Sequence, residues 1–290
     1  MEWNRNHQSP DVIDRRGQGG GGGFAGAGVI GLLFGLIKSK WGWGGVLVLV
    51  GVVVAYNFFG GGLRGMMSSS EPEGIKRSDD ELGTFTGSVL DDVQGVWDKT
   101  PLPKGASYRH AKLVLFTNET PTGCGYGQSA SGPFYCPPDE KVYIDLGFYR
   151  DLSAKLGAPG DFAQAYVIAH EIGHHVQNLT GVSDKVHRAA KSQQKGADGL
   201  SVRLELQADC YAGIWAHSTN QRGLLEQGDI EEAMAAAEAI GDDRLQKQAG
   251  GRVSPESFSH GTSAQRVEWF KRGLKSGRVD SCDTFAETSP

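Results

Sequence analysis

The sequence lacks the excess of basic residues that a nucleic-acid-binding face requires. It has 29 lysines and arginines against 34 aspartates and glutamates, which gives a formal net charge of −5. The 43 glycines have no three-residue period, which excludes a collagen triple helix, and we find no internal repeat. Apolar residues make up 39% of the chain and charged residues 22%, so a protein with a packed core is the class that remains.

Cysteine is also scarce, and no C-x-x-C pair occurs, which argues against a cysteine zinc finger. An even number of cysteines in an exported domain permits two disulfides. Cys124 and Cys136 enclose a loop rich in glycine, serine and proline that a disulfide would order, although two buried thiols are the alternative. A second disulfide between Cys210 and Cys282 is inferred only because these two cysteines remain.

Long hydrophobic runs are missing except in one place. No charged residue occurs in residues 41–63, and residues 46–55 are almost continuously aliphatic. A helix over residues 41–59 would be about 28 Å long, close to the ~30 Å of the hydrocarbon core. Trp41, Trp43 and Tyr56 lie where interfacial aromatic residues are favoured. We therefore predict one transmembrane helix, with a buried strand as the alternative.

The basic residues near this helix predict its orientation. Those that precede it are Arg5, Arg15, Arg16, Lys38 and Lys40. Basic residues that follow within a similar distance are fewer and are accompanied by acids, so the positive-inside rule places the N-terminus in the cytoplasm. The rest of the chain is then periplasmic or extracellular. A cleaved signal peptide is the alternative, but its leader would be unusually long.

These observations divide the chain into four predicted parts. They are a glycine-rich cytoplasmic tail (residues 1–40), the membrane helix (41–60), a flexible linker (61–78) and a main domain (79–290). The linker is predicted from its glycines, its serine triplet and a proline flanked by glutamates.

His170, Glu171 and His174 form an H-E-x-x-H motif among apolar residues at helical spacing. In a helix the two histidines lie one above the other and can bind one metal ion. Glu171 is turned by about 100° and can reach a metal-bound water. Gln177 and Thr180 exclude the third histidine of the metzincins. The motif alone is weak evidence, so a third ligand is needed.

A later helical segment supplies two candidate acids. Glu205 and Asp209 are four residues apart and therefore share one helix face. We assign Glu205 to the zinc ion and Asp209 to a hydrogen bond with the remote nitrogen of a histidine ligand. The alternative is that both acids face solvent.

Three protein ligands leave a fourth position for water, which is typical of a catalytic zinc ion. We expect Glu171 to take a proton from this water and to pass it to the leaving amine. His260 and Arg266 are candidates for stabilising the oxyanion, although surface positions are the alternative for both.

Several segments together resemble a bacterial family of neutral zinc metallopeptidases with an N-terminal membrane anchor. They are residues 11–17, 122–125, 132–137 and 142–145, the H-E-x-x-H helix, and residues 204–213 and 260–263. The resemblance implies an α+β, zincin-like domain with an active-site helix, a small mixed sheet and a helical C-terminal part. It also implies one zinc ion bound by His170, His174 and Glu205, with Glu171 as the base. In related membrane zinc proteases a histidine and an arginine lie near the reacting carbonyl, which favours His260 and Arg266.

The interpretation that follows is a membrane-anchored zinc endopeptidase that acts on a protein or peptide. In zincins the substrate adds a strand to a sheet edge, and Lys141–Asp145 alternates suitably for that edge. A non-catalytic envelope binding or scaffold protein with a structural zinc ion is the alternative. A hydrolase of cell-wall peptide bonds is a third, narrower possibility.

Overall fold

The computed structural model describes residues 1–18 and 77–286, and it has the mixed α+β composition that the sequence predicts. The described strands are β1 (Val12–Asp14), β2 (Lys112–Phe116), β3 (Glu119–Thr122), β4 (Gly125–Gln128), β5 (Phe134–Cys136) and β6 (Lys141–Asp145). The described α-helices are α1 (Arg77–Trp97), α2 (Gly147–Ala154), α3 (Asp161–Leu179), α4 (Val182–Arg188), α5 (Lys191–Gln194), α6 (Leu200–Gln221), α7 (Asp229–Ala239), α8 (Asp242–Gln248) and α9 (Ser263–Ser276).

Four strands form one sheet in the order β1-β2-β6-β5. Strands β1, β2 and β6 are parallel, whereas β5 runs antiparallel to β6. The two central strands read as hydrophobic runs because both faces of the sheet are covered there. Their buried side chains are Leu113, Val114, Leu115, Phe116, Val142, Tyr143 and Ile144. Strands β3 and β4 form a separate antiparallel hairpin.

The sheet order corrects the prediction for Lys141–Asp145. This segment is β6, and it has a hydrogen-bonded neighbour on each side, β2 and β5. It therefore has no free edge that could receive a substrate strand. The free edge on that side of the sheet belongs to β5, which the sequence analysis did not single out as a strand.

The N-terminal segment Met1–Arg15 belongs to the same compact unit as the domain that begins after the gap. Its strand β1 pairs in parallel with β2. The buried carboxylate of Asp11 accepts hydrogen bonds from Lys112 at 2.6 Å and from Gln94 at 3.0 Å. The start of the predicted tail therefore completes the sheet of the main domain.

This pairing bears on the predicted membrane topology, which stays a prediction. Strands β1 and β2 share backbone hydrogen bonds, so the two strands lie on the same side of any membrane. The predicted membrane helix (residues 41–60) lies outside the described residues, as does the linker (61–78) apart from its last two residues. Among the helices in residues 1–18 and 77–286, none is long and apolar enough to cross a membrane.

Helix α3 is the central helix of the domain. It contacts α1, α6 and α7, and it also touches the sheet at β5 and β6. Apolar residues occupy most of its faces, and a helix of that kind is stable only when it is surrounded by other elements. Its contact with β5 places the H-E-x-x-H residues next to the edge strand of the described sheet.

Glycines allow the functional helices to approach closely. A Cβ atom added to Gly173 on α3 would lie 3.0 Å from the Cα atom of Ala208 on α6. Helices α6 and α9 meet at Gly213 and Gly273, where an added Cβ atom would collide with the opposing backbone. These contacts set the helix separations that allow side chains of α3, α6 and α9 to meet.

Candidate active site

Helices α3 and α6 bring three metal-binding side chains together. His170 and His174 lie one turn apart on α3, with ring centroids 4.8 Å apart. Glu205 on α6 faces both rings. Its Oε2 atom is 3.2 Å from Nε2 of His170, and its Oε1 atom is 3.4 Å from Nε2 of His174. The structure thus groups the three ligands that the sequence predicts.

The separations of these atoms fit a tetrahedral zinc ion. Zinc binds nitrogen and oxygen at about 2.0–2.1 Å, so two ligand atoms in tetrahedral geometry lie about 3.3–3.4 Å apart. The two oxygens of Glu205 lie at 3.2 and 3.4 Å from the two Nε2 atoms, and one ligand atom from each of the three residues lies within 4.8 Å of the others, close enough for one ion to bind all three. Two imidazoles and one carboxylate also form a donor set used by catalytic zinc sites, with a fourth position left open.

A hydrogen bond on the remote side fixes the ring of His170. Its Nδ1 atom is 2.9 Å from Oδ1 of Asp209, which is fully buried one turn after Glu205 on α6. A carboxylate in this position keeps the proton on Nδ1 and leaves Nε2 free for the metal. Asp209 therefore lies where the sequence analysis placed it, behind a ligand.

The ring of His174 has a partner that the sequence analysis missed. Its Nδ1 atom is 2.9 Å from Oε1 of Gln177, whose side chain is completely buried. From the sequence, Gln177 served only to exclude a metzincin. It follows His174 by three residues, so the two side chains share one helix face, and this spacing could have identified Gln177 as a partner of His174.

Arg266 lies in a different environment from the one expected. Its side chain is 1% exposed, and its Nε and Nη2 atoms donate to the two carboxylate oxygens of Asp209, each at 2.9 Å. The hydroxyl of Tyr166 also donates to Asp209. Because the guanidinium is engaged with a buried carboxylate, its position fits the support of Asp209 better than direct contact with an oxyanion.

Glu171 lies beside the metal ligands and lines the same cleft. It is 7% exposed, and no described residue donates a hydrogen bond to its carboxylate. A buried carboxylate without a protein partner is available to a water molecule in the cleft. This is the environment that the predicted general base requires.

His260 reaches the cleft from the loop before α9. Its Nδ1 atom is 3.1 Å from Oδ1 of Asp242, the first residue of α8. The other carboxylate oxygen of Asp242 accepts the backbone N–H groups of residues 259–261. Asp242 thus fixes both the loop and the ring. The sequence analysis named His260 but missed Asp242, because 18 residues separate them without a local pattern.

The cleft around these residues has a volume of about 670 Å³. It is bordered by β5, α4, α6 and the 3-10 turn Ser129–Ser131. Most of its lining is apolar, and the apolar side chains include Phe134, Tyr135, Phe148, Leu156, Val167, Leu204, Ile240 and Leu245. A larger cavity of about 1090 Å³ contains none of the predicted metal ligands, so size alone does not identify the site.

Electrostatics keeps the buried carboxylates ionised at neutral pH. Burial raises the pKa of Glu205, but His174 and His170 outweigh it and hold that pKa well below its usual value. Burial likewise raises the pKa of Asp209, but Arg266 and His170 lower it overall. Burial lowers the pKa of His170, yet Asp209 and Glu205 raise it to about 9. The raised pKa of His170 means that the two carboxylates stabilise positive charge at its ring, where a bound cation would replace the proton on Nε2.

Both predicted disulfides are present. Cys124–Cys136 ties the β3–β4 hairpin to the end of the edge strand β5. Cys210–Cys282 ties α6 to the C-terminal 3-10 turn Val279–Cys282. Each bridge therefore supports an element that borders the candidate site.

Comparison with known proteins agrees with this geometry. A family model described as “Putative neutral zinc metallopeptidase” matches residues 1–285. The chain belongs to this family. The resemblance inferred from the sequence motifs is thereby confirmed, and membership of the zinc metallopeptidase family supports a coarse assignment as a zinc-dependent hydrolase.

Individual relatives cover much or all of the chain. “Uncharacterized protein YpfJ” of Escherichia coli (strain K12) is 48% identical over 295 residues, which cover 99% of this chain and 100% of that protein. “Uncharacterized protein Rv2575” of Mycobacterium tuberculosis (strain ATCC 25618 / H37Rv) is 46% identical over 205 residues, or 67% of each chain. No solved structure matches this zinc metallopeptidase family member.

Proposed function

We propose that this chain is a zinc-dependent endopeptidase that hydrolyses peptide bonds in proteins or peptides. One observation carries the proposal: the three ligand side chains share a cleft with the carboxylate of Glu171, which accepts no hydrogen bond from any described residue. A site that served only to hold the fold would not need a buried acid without a protein partner. The mostly apolar cleft beside a free strand edge fits an extended peptide.

Each residue of the cleft has a proposed task. His170, His174 and Glu205 would hold a zinc ion, which would supply Lewis acidity at the substrate carbonyl and at the attacking water. Glu171 takes the proton of that water and delivers it to the leaving amine nitrogen. His260 donates a hydrogen bond to the oxyanion that develops on the carbonyl oxygen.

The substrate backbone is proposed to bind along β5. Its outer edge is unpaired within the described sheet, and Phe134 and Tyr135 line the cleft. A peptide that adds a strand there gains main-chain hydrogen bonds next to α3. Methylation of backbone nitrogens in a cleaved peptide is expected to raise KM by removing these bonds. An unchanged KM at every methylated position would place the substrate elsewhere.

We also propose that the domain acts outside the cytoplasm. Two disulfides in the described residues are typical of an oxidising compartment. Because Met1–Arg15 belong to the domain, they lie on the same side. Any membrane crossings between residues 16 and 76 are then even in number, unlike the single crossing that the sequence predicts.

A non-catalytic scaffold with a structural zinc ion is the alternative function. Elemental analysis and cleavage assays on the full chain separate the two, with protein, peptide and cell-wall peptide substrates. The full chain is used because β1 is part of the sheet. We expect about one zinc ion in the wild type and in Glu171→Gln, little in Glu205→Ala, and cleavage by the wild type alone.

Each other outcome has a definite meaning. Wild-type zinc content in Glu205→Ala would contradict the assignment of that ligand. Zinc without cleavage of any substrate class, in both the wild type and Glu171→Gln, would favour the scaffold. Cleavage of cell-wall peptides alone would narrow the substrate class.

A further inference from the structure

We propose that Gln177 is a positioning residue for the second metal ligand, and that a chain of buried amides connects His174 to the C-terminal disulfide. This inference rests on the proposed zinc site. It concerns how the ring of His174 is held, which the H-E-x-x-H motif does not specify.

The direction of the Gln177 amide follows from its partners. Its Nε2 atom donates to the backbone carbonyl of Leu204 at 2.7 Å and to Oε1 of Gln207 at 3.2 Å. The carbonyl oxygen of Leu204 can only accept, so the NH₂ group of Gln177 must point toward α6. The amide oxygen therefore faces Nδ1 of His174, at 2.9 Å.

This direction determines the proton position on His174. An amide oxygen accepts but cannot donate, so Nδ1 of His174 must carry the hydrogen. The lone pair of the neutral ring is then on Nε2, the atom that faces Oε1 of Glu205. Gln177 thus selects the tautomer that can bind a metal ion, as Asp209 does for His170.

A second amide extends the chain of hydrogen bonds. Nε2 of Gln207 donates to the backbone carbonyl of Cys282 at 3.0 Å, and Cys282 is joined to Cys210 on α6. Gln177 is completely buried, and Gln207 is 5% exposed where it lines the larger cavity. If either amide were flipped, its oxygen would face a carbonyl oxygen, and two acceptors would be in contact. The Cys210–Cys282 disulfide holds the last carbonyl of the chain, that of Cys282, in place.

The two histidines are therefore held by different chemistry. Asp209 is charged and has Arg266 as its counter-ion, whereas Gln177 is neutral and needs none. A neutral partner orients His174 without adding a second buried charge beside Glu205. Removing this partner while its volume is kept should weaken zinc binding, because Nδ1–H would remain buried without an acceptor.

The test compares zinc affinity, measured by competition with a chelator, in four full-length proteins. They are the wild type, Gln177→Leu, Gln177→Glu and the matched control Gln94→Leu. Gln94 is also fully buried, and it donates to Asp11 at 3.0 Å and accepts from the backbone of Ala111 at 2.7 Å. The control therefore loses comparable buried hydrogen bonds without contact to the metal ligands.

We expect Gln177→Leu to bind zinc about 10- to 100-fold more weakly than the wild type. Gln94→Leu should bind zinc as the wild type does, although both leucine variants melt at lower temperature. Gln177→Glu keeps an acceptor for His174, but it loses the donors to Leu204 and Gln207 and adds a buried charge. Its zinc affinity should therefore lie between those of Gln177→Leu and the wild type. The Nδ1–H resonance of His174 in the zinc-loaded protein should persist in Gln177→Glu and disappear or shift strongly in Gln177→Leu.

Equal zinc affinities for Gln177→Leu and Gln94→Leu would overturn the inference while leaving the zinc site intact. An Nδ1–H resonance of His174 that is unchanged in Gln177→Leu would also overturn it, because the amide oxygen would then not hold that proton. Absence of zinc binding by the folded wild type would instead contradict the proposed function. The two failures are therefore distinguishable.

Discussion

Asp209 and Arg266 form a fully buried, bidentate ion pair behind His170. Both carboxylate oxygens accept hydrogen bonds from the guanidinium at 2.9 Å, and the same carboxylate holds Nδ1 of His170. The pair joins α6 to α9 at the level of the metal ligands. Its position explains why an arginine so close to the site need not touch the substrate.

Substitution of Arg266 by methionine should therefore act on stability as well as on the metal site. Asp209 would lose its arginine counter-ion and keep only His170 beside it, and breaking a buried ion pair typically costs about 3–5 kcal/mol. The double variant Arg266→Met/Asp209→Asn also lacks the carboxylate charge and should recover much of the loss. Urea unfolding of the metal-free proteins measures the loss of stability in the single variant and its recovery in the double variant. A large loss of kcat with unchanged stability in Arg266→Met would instead indicate direct contact with the substrate.

The pair of Asp242 and His260 predicts a pH dependence of activity. The hydrogen bond to Asp242 raises the pKa of His260 above 6.5, although burial opposes it. If protonated His260 donates to the oxyanion, activity falls as the pH rises through this raised pKa. In Asp242→Asn the pKa of His260 returns toward its ordinary value, so the alkaline limb of kcat should move to lower pH.

The neighbouring residue provides the control for this pH profile. Asp243 accepts hydrogen bonds from the backbone and hydroxyl of Ser263 and not from His260. Asp243→Asn should therefore leave the alkaline limb where the wild type has it. An alkaline limb that does not move in Asp242→Asn would exclude His260 as the titrating donor.

The two disulfides should differ in their effect on the metal site. In the chain-entropy model, loops of 72 and 12 residues correspond to about 4 and about 3 kcal/mol of stability. Replacing Cys210 and Cys282 by serine should also weaken zinc binding, because the carbonyl of Cys282 ends the chain of amides from His174. The matching Cys124/Cys136 variant should lose stability but keep zinc affinity. If the Cys210/Cys282 and Cys124/Cys136 variants bound zinc equally well, the Cys210–Cys282 disulfide would not contribute to zinc binding.

Local periodicity explains which parts of the site the sequence could predict. His170 and His174, like Glu205 and Asp209, are four residues apart, and helix geometry alone places such pairs on one face. Their joint presence in one chain predicted the grouping that the structure has. Asp242 was missed because its partner His260 lies 18 residues away in a loop, where no helical or strand period applies.

Pairing between distant segments explains the errors. The alternation in Lys141–Asp145 indicates a strand but does not reveal which neighbours it has. Strand β1 lies about one hundred residues from β2, so no local pattern predicts their parallel pairing. Arg5 and Arg15, two of the basic residues on which the predicted orientation rests, contact the main domain. Arg5 pairs with Glu81, and Arg15 donates a hydrogen bond to Thr120.

The close approach of α3 and α6 at Gly173 predicts a steric effect on metal binding. An alanine methyl group would press against the backbone of Ala208, 3.0 Å away, and push Glu205 away from the histidines. Overpacking of this kind costs about 1–3 kcal/mol. Gly95 on α1 has no atom within 4 Å of an added Cβ atom, so Gly95→Ala should be neutral or stabilising. The thermal unfolding temperature and the zinc affinity should both fall in Gly173→Ala, and neither should fall in Gly95→Ala.

The sheet pairing of β1 predicts that the N-terminus and the domain are accessible from the same side of the membrane. Gln8 and Lys271 are both exposed, and the four native cysteines are engaged in disulfides. Gln8→Cys and Lys271→Cys in the full-length protein should therefore react equally with a membrane-impermeant maleimide in intact spheroplasts. Permeabilised spheroplasts provide the control for total reactivity.

The pattern of labelling separates the two parts of the location proposal. Labelling of Lys271→Cys in intact spheroplasts, with Gln8→Cys labelled only after permeabilisation, would mean that β1 does not pair with β2 in the membrane-bound protein. Labelling of both only after permeabilisation would retain the pairing but place the domain in the cytoplasm. Equal labelling in intact spheroplasts would require an even number of crossings between residues 16 and 76, because a single crossing would separate two strands that share backbone hydrogen bonds.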